Sequence, residues 1–132
     1  MIFKQEGVWL SAPGIVRFGE REIAFLEAEA PKTAKRRARL CVHQDDDRMH
    51  QMLIAFCRDS WNPPHAHERP ESMLVLKGVM SVLIHGERNE PKGIIWYHPI
   101  DLKAGDFLRI PAGVVHQPLP VTDCVVLESA EK

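Results

Sequence analysis

The sequence predicts an all-β sandwich or barrel, and three observations carry that prediction. Strand-like patterns recur about every 8–12 residues through most of the chain. Ten Pro and eight Gly punctuate only 132 residues, a density of turn formers that favours many short strands over long helices. Only one stretch shows a helical period.

Residues 1–18 hold the short apolar stretches Ile2-Phe3 and Val8-Trp9-Leu10 and the turn residues Ser11-Ala12-Pro13-Gly14. They read as one or two short strands. Gly19 to Ala30 is the helix: Glu20, Arg21 and Glu22 crowd its start, Ile23, Leu26 and Ala30 repeat at helical spacing, and Pro31 ends it. From residue 36 the signal is β. Arg37, Arg39, Cys41 and His43 alternate with Ala38, Leu40 and Val42, the period of a strand with two unlike faces. Asp45-Asp46-Asp47-Arg48 is a solvated turn, Gln51 to Cys57 a further strand, and Asn62-Pro63-Pro64 breaks it. Glu71–Leu76 and Val79–His85 are expected as a hairpin-like pair around Lys77-Gly78. Gly86 to Gly93 reads as a polar turn, Ile94–His98 as a strand, Leu102 to Asp106 as a turn, Phe107–Ile110 as a strand, Pro111-Ala112-Gly113 as a turn and Cys124–Leu127 as the closing strand. The length is that of one domain over 1–132, a strand and helix extension at 1–35 followed by a barrel at 36–132. A chain of this size buries roughly two-thirds of its unfolded surface, so folding alone demands neither disulfide nor metal.

Composition excludes several classes. Apolar residues are 45% and charged residues 27%, a globular balance. Seventeen Lys and Arg against 18 Asp and Glu give a net charge of -1, without the basic excess of a nucleic-acid binder. No apolar run approaches the ~20 residues of a membrane span, and Met-Ile-Phe-Lys-Gln-Glu lacks the features of a secretory signal. The three cysteines, Cys41, Cys57 and Cys124, form no CxxC. A soluble, cytoplasmic domain with no nucleic-acid or membrane partner is expected.

Chemistry is concentrated in Pro63-Pro64-His65-Ala66-His67-Glu68-Arg69-Pro70-Glu71. In extended backbone His65 and His67 point the same way, and Glu71 shares their parity, with Pro70 making a bend between. Two imidazoles and a carboxylate suit divalent iron, manganese, nickel, copper or zinc. A fourth ligand must come from elsewhere, and His116, after the Pro111-Ala112-Gly113 turn, is the best candidate. Isolated, an HxH pair would be an ordinary pairing on a surface strand. Met73, at parity with Glu71, is expected to face the interior, and Met49, Met52 and Met80 to fill core gaps.

The pair is not isolated. His65-x-His67-x3-Glu71-x6-Gly78 resembles the first cupin motif, and Gly105-x5-Pro111-x-Gly113-x2-His116 resembles the second. The resemblance implies a double-stranded β-helix, or jelly-roll, barrel holding one divalent ion with His65, His67, Glu71 and His116, and a homodimer. Two positions depart from the pattern, Asp59 where Gly is expected and Pro120 where Asn is expected; neither is a ligand. Arg36 to His43, Gln51 to Ala55, Pro63 to His67 and Glu71-Ser72 further resemble the WbuC-type cupin-fold metalloproteins. That family is associated with bacterial polysaccharide gene clusters.

The Arg37–His43 strand has two readings. Inside a barrel its guanidiniums bind a carboxylate or phosphate; as an edge strand it is simply charge in water. The resemblance favours a pocket role for Arg39 and His43, and Trp61, four residues before His65, is placed to wall the pocket; these three are the candidate ligand-binding residues, with His43 the candidate catalytic base. The leading functional expectation is a metal-dependent enzyme acting on a small polar, anionic or sugar-derived molecule, in bacterial surface polysaccharide metabolism. The alternative is a non-catalytic binding or sensing module, and a third reading is a barrel in which the metal is only structural. Fold alone does not choose among them.

Overall fold

In the computed structural model, which describes residues 1–88 and 94–131, the strands form two sheets. The larger runs in the order β1 (Ile2–Gln5), β2 (Val8–Leu10), β3 (Arg37–Cys41), β4 (Met49–Phe56), β10 (Cys124–Glu131), β5 (Glu71–Lys77), β8 (Phe107–Ile110). The smaller runs β7 (Ile94–Lys103), β6 (Val79–Arg88), β9 (His116–Pro120). This is the jelly-roll architecture that the motifs imply.

Alternation along the strands sorts the core into two layers. Between the sheets lie Ile54 and Phe56 of β4, Met73 and Val75 of β5, Met80 and Val82 of β6, and Val126 of β10. Their sequence neighbours Leu53, Ala55 and Val125 face the opposite way. There they meet Ala38 and Leu40 of β3 and the helix α1 (Glu20–Glu29), whose Leu26 is fully buried. The helix therefore packs outside the barrel, as expected. It begins where the Glu22 carboxylate accepts a hydrogen bond from the Gly19 amide at 2.9 Å, with Glu20 and Glu22 favouring the positive end of its dipole. Pro31 ends the α-helix, and the chain makes one further 3₁₀ turn over Ala30–Lys32. Among the described residues no helix is long and apolar enough to cross a membrane.

Several expectations need correction. β5 and β6 do not pair: β5 lies between β10 and β8, and β6 between β7 and β9. Gly78 alone joins them, at φ +79°, and carries the chain from one sheet to the other. A Cβ there would sit 2.2 Å from the Asp123 carbonyl oxygen, in the corresponding corner between β9 and β10. β3 is no edge strand, because β2 and β4 flank it. β7 runs without a break through Pro99, which the edge of the smaller sheet tolerates because no second neighbour needs its missing N–H. β10 continues to Glu131. Met49 is exposed rather than a core filler. Residues 89–93 of the expected polar turn lie outside the described residues.

Candidate metal centre

β5 carries Glu71, Met73 and Val75 on its inner face, so the carboxylate enters the barrel with only 3% of the residue exposed. The two histidine motifs meet over a reciprocal backbone pair: the His65 amide donates to the His116 carbonyl and the His116 amide to the His65 carbonyl, both at 2.9 Å. Beside them the Gly113 amide donates to the His67 carbonyl at 2.8 Å. These bonds bring His65, His67, Glu71 and His116 together, one potential donor atom from each lying within 4.8 Å of the others. Donors on opposite sides of an ion at about 2.1 Å lie about 4.2 Å apart, so the spread is close to what a bound ion needs.

The ring orientations fit that use. His65 Nδ1 lies 3.0 Å from the Pro63 carbonyl and His116 Nδ1 2.9 Å from the Val114 carbonyl. A carbonyl only accepts, so in each neutral ring Nδ1 holds the proton and Nε2 keeps its lone pair. His116 Nε2 lies 2.5 Å from one Glu71 oxygen and His67 Nε2 2.8 Å from the other. Even so, His116 Nε2 and Glu71 Oε2 are buried and make no hydrogen bond of acceptable geometry. In these neutral tautomers the Nε2 lone pairs and the carboxylate oxygens converge, an arrangement that suits a cation, and the donor set suits a first-row divalent ion.

Burial is the largest influence on the Glu71 carboxyl and pushes it up, but His116, Glu128 and His67 together pull it down, and its net shift is downward. Burial, the largest influence, lowers His116, and Glu71, the Val114 carbonyl and Glu128 together more than offset it, so it is raised. His65 is lowered, chiefly by burial.

Three of the four residues, His65, His67 and Glu71, line a cavity of about 590 Å³. Arg37 and Arg39 line it from β3, beside Asn62, and Glu128 of β10 lies in its wall. Burial first, and the charge of Glu71 second, push the Glu128 carboxyl up to about 8. Asn62 is buried and ties the region together: its Oδ1 accepts from Arg37 Nη1 at 2.7 Å, its Nδ2 donates to Ser60 Oγ at 3.0 Å, and its carbonyl accepts from Gln117 Nε2 at 3.1 Å.

Of the expected pocket residues, Arg39 lines the cavity and His43 and Trp61 do not. β3 ends at Cys41, so strand parity no longer governs His43. Its Nδ1 sits 3.0 Å from both the amide nitrogen and the carbonyl oxygen of Gln51, and its ring stacks on His50 with centroids 3.9 Å apart. Trp61 is 66% exposed because its neighbours Ser60 and Asn62 are the ones that turn inward. Asn62 and Glu128 were not anticipated. Asn62 had read as part of a chain break. Glu128 shares parity with Cys124 and Val126, a signal that became visible once β10 was seen to continue past Leu127.

Jelly-roll fold and four-residue cluster together define a cupin-type barrel with a candidate metal centre. The chain belongs to the family described as Domain of unknown function (DUF6016), whose model matches residues 18–93, a span holding Arg39, His65, His67 and Glu71 but not His116. No curated protein matches the sequence. Among solved structures, a conserved protein of unknown function from Streptococcus pyogenes superposes with a TM-score of 0.61 at 14% identity, over 75% of this chain and 76% of that one. KdgF from Halomonas sp. superposes at 0.56 and 21% identity, over 73% and 79%. A recombinant oxalate oxidase in complex with glycolate superposes at 0.53 and 26% identity, over 64% of this chain and 42% of that one.

Proposed function

We propose that this protein is a metal-dependent enzyme acting on a small polar molecule, with His65, His67, Glu71 and His116 as the ligands of one divalent ion. The observation that carries the reading is the buried pair His116 Nε2 and Glu71 Oε2, neither with a hydrogen-bond partner, beside the cavity that Glu71 lines. Each residue then has a task. The Pro63 and Val114 carbonyls hold two imidazoles in the ligating tautomer, Glu71 supplies the negative charge, and Arg39 orients an anionic group of the substrate. Glu128 lines the same cavity beside Glu71. A divalent ion at the cluster supplies Lewis acidity, polarising a carbonyl or hydroxyl oxygen presented to it. The oxalate oxidase neighbour, solved with glycolate, is consistent with a small oxygen-bearing ligand. The WbuC-type motifs support a sugar-derived substrate in bacterial surface polysaccharide metabolism, and with it a cytoplasmic homodimer of single-domain chains. His43 lies outside the cavity, which takes away the expected base and favours, as a second reading, a non-catalytic module that holds a ligand for sensing.

The test is metal analysis of protein purified without an affinity tag, followed by stripping and reloading with iron, manganese, nickel, copper or zinc. Loaded protein is then screened for turnover of small organic acids and sugar derivatives by mass spectrometry. About one ion per chain is expected, lost in His116→Ala, with turnover that chelation abolishes. Loaded protein that binds ligands yet turns none over supports the sensing module, and wild-type protein without a stoichiometric ion overturns both readings.

A further inference from the structure

We propose that the ligand is a short two-ended acid: a carboxylate held by Arg39 and Arg37, an apolar middle, and an oxygen-bearing far end that reaches the four-residue cluster. The inference rests on the metal reading above and narrows its substrate class.

The first support is unmatched charge. Arg37 and Arg39 lie two positions apart on β3 and both line the cavity. Neither makes an ion pair among the described residues. Arg39 Nε is buried with no hydrogen-bond partner, while Arg37 is fixed by Asn62 at 2.7 Å. Burial, and after it the neighbouring Arg39, work against the Arg37 charge. Three carboxylates line the same cavity. Glu6 accepts from the Ala34 amide at 2.8 Å, Glu71 faces the imidazoles, and Glu128, whose charge acts on both arginines at longer range, forms an ion pair with neither. Two half-buried guanidiniums without an ion-pair partner in contact are costly unless an anion arrives, and a carboxylate fits their planar donors.

The second support is the wall between the two ends. In the sheet register Arg39 lies opposite Ile54 and Arg37 opposite Phe56. Towards Glu71 the lining continues with Met52 and Met73. Glu128, opposite both Met52 and Met73 in the register, is the one polar side chain among them, so most hydroxyls of a polyhydroxylated chain would lose their water there without replacement. An unsubstituted chain would fit them.

The experiment titrates straight-chain dicarboxylates, malonate to adipate, and the tetrahydroxy analogue of adipate, glucarate, into ion-loaded protein by calorimetry. One chain length should bind best, glucarate should bind more weakly than adipate, and chelator-stripped protein should lose the length preference. Arg39→Met should weaken the preferred acid about 30-fold or more with metal content unchanged, the loss expected when a desolvated charge pair is broken. Arg39→Lys, which keeps the charge and lacks the planar fork, should restore part of that loss. If Arg39→Met fails to fold, the same comparison is made with Arg37→Met. Loaded protein that binds no dicarboxylate, that binds all lengths and glucarate alike, or that is indifferent to the arginine substitutions overturns this inference and leaves the metal reading intact. Wild-type protein without a stoichiometric ion overturns the metal reading itself, and the two-ended ligand with it.

Discussion

His65 and His116 each commit one ring nitrogen to a backbone carbonyl, which points the other at Glu71 before any ligand arrives. These positions were legible in the sequence because parity along an extended segment and the spacing of two motifs survive folding. Glu128 was not, since a lone Glu late in a strand looks solvated until the strand's inward parity is known. It carries a prediction for metal-free protein. A carboxyl raised to about 8 keeps its proton when folded, over a pH range in which the unfolded chain has already released its own. Its contribution to stability is therefore full below the ordinary carboxylate range and is lost as pH rises through about 8. Glu128→Gln should flatten that decline, raising stability near pH 8 by on the order of a few kcal/mol and changing little near pH 4. Denaturant titration at both pH values checks it, and equal slopes in both proteins would contradict it.

Among the elements, alternation along β3 separated two unlike faces in the sequence, and the shared parity of Glu71 and Met73 marked the inner face of β5. The pairing of β5 with β6 was misread for a physical reason. A lone Gly between two apolar runs marks a hairpin and a sheet-changing corner equally well, and only packing against the Asp123 corner distinguishes them. Gly78→Ala tests that corner: the left-handed φ and the 2.2 Å approach to a carbonyl oxygen should together cost about 2 kcal/mol or more. Thermal unfolding should show a drop of several degrees, and an unchanged midpoint would mean that the corner readily rearranges. His43 failed as a pocket residue through the same kind of limit, because alternation holds only while the strand continues.

For the whole molecule, the expected barrel and external helix are present, and the metal-centre reading predicts that chelation lowers the unfolding midpoint. A ligand that binds only folded protein, at a free concentration 100 times its Kd, adds about 2.7 kcal/mol. Calorimetric scans with and without chelator, and after reloading, measure this; identical scans would count against a bound ion. The reciprocal backbone pair between His65 and His116 has a consequence in time. Three of the four side chains arrive together on a short segment that ends at the first residue of β5, whereas the fourth lies 45 positions beyond Glu71, after β6, β7 and β8 have been laid down. The constellation therefore cannot assemble until the ends of that long loop have closed, which is among the slower events of a non-local topology. Refolding in the presence of cobalt(II), whose visible absorption reports its coordination, should develop colour no sooner than β9 docks, so the ion would act as a stopwatch for the completion of the barrel.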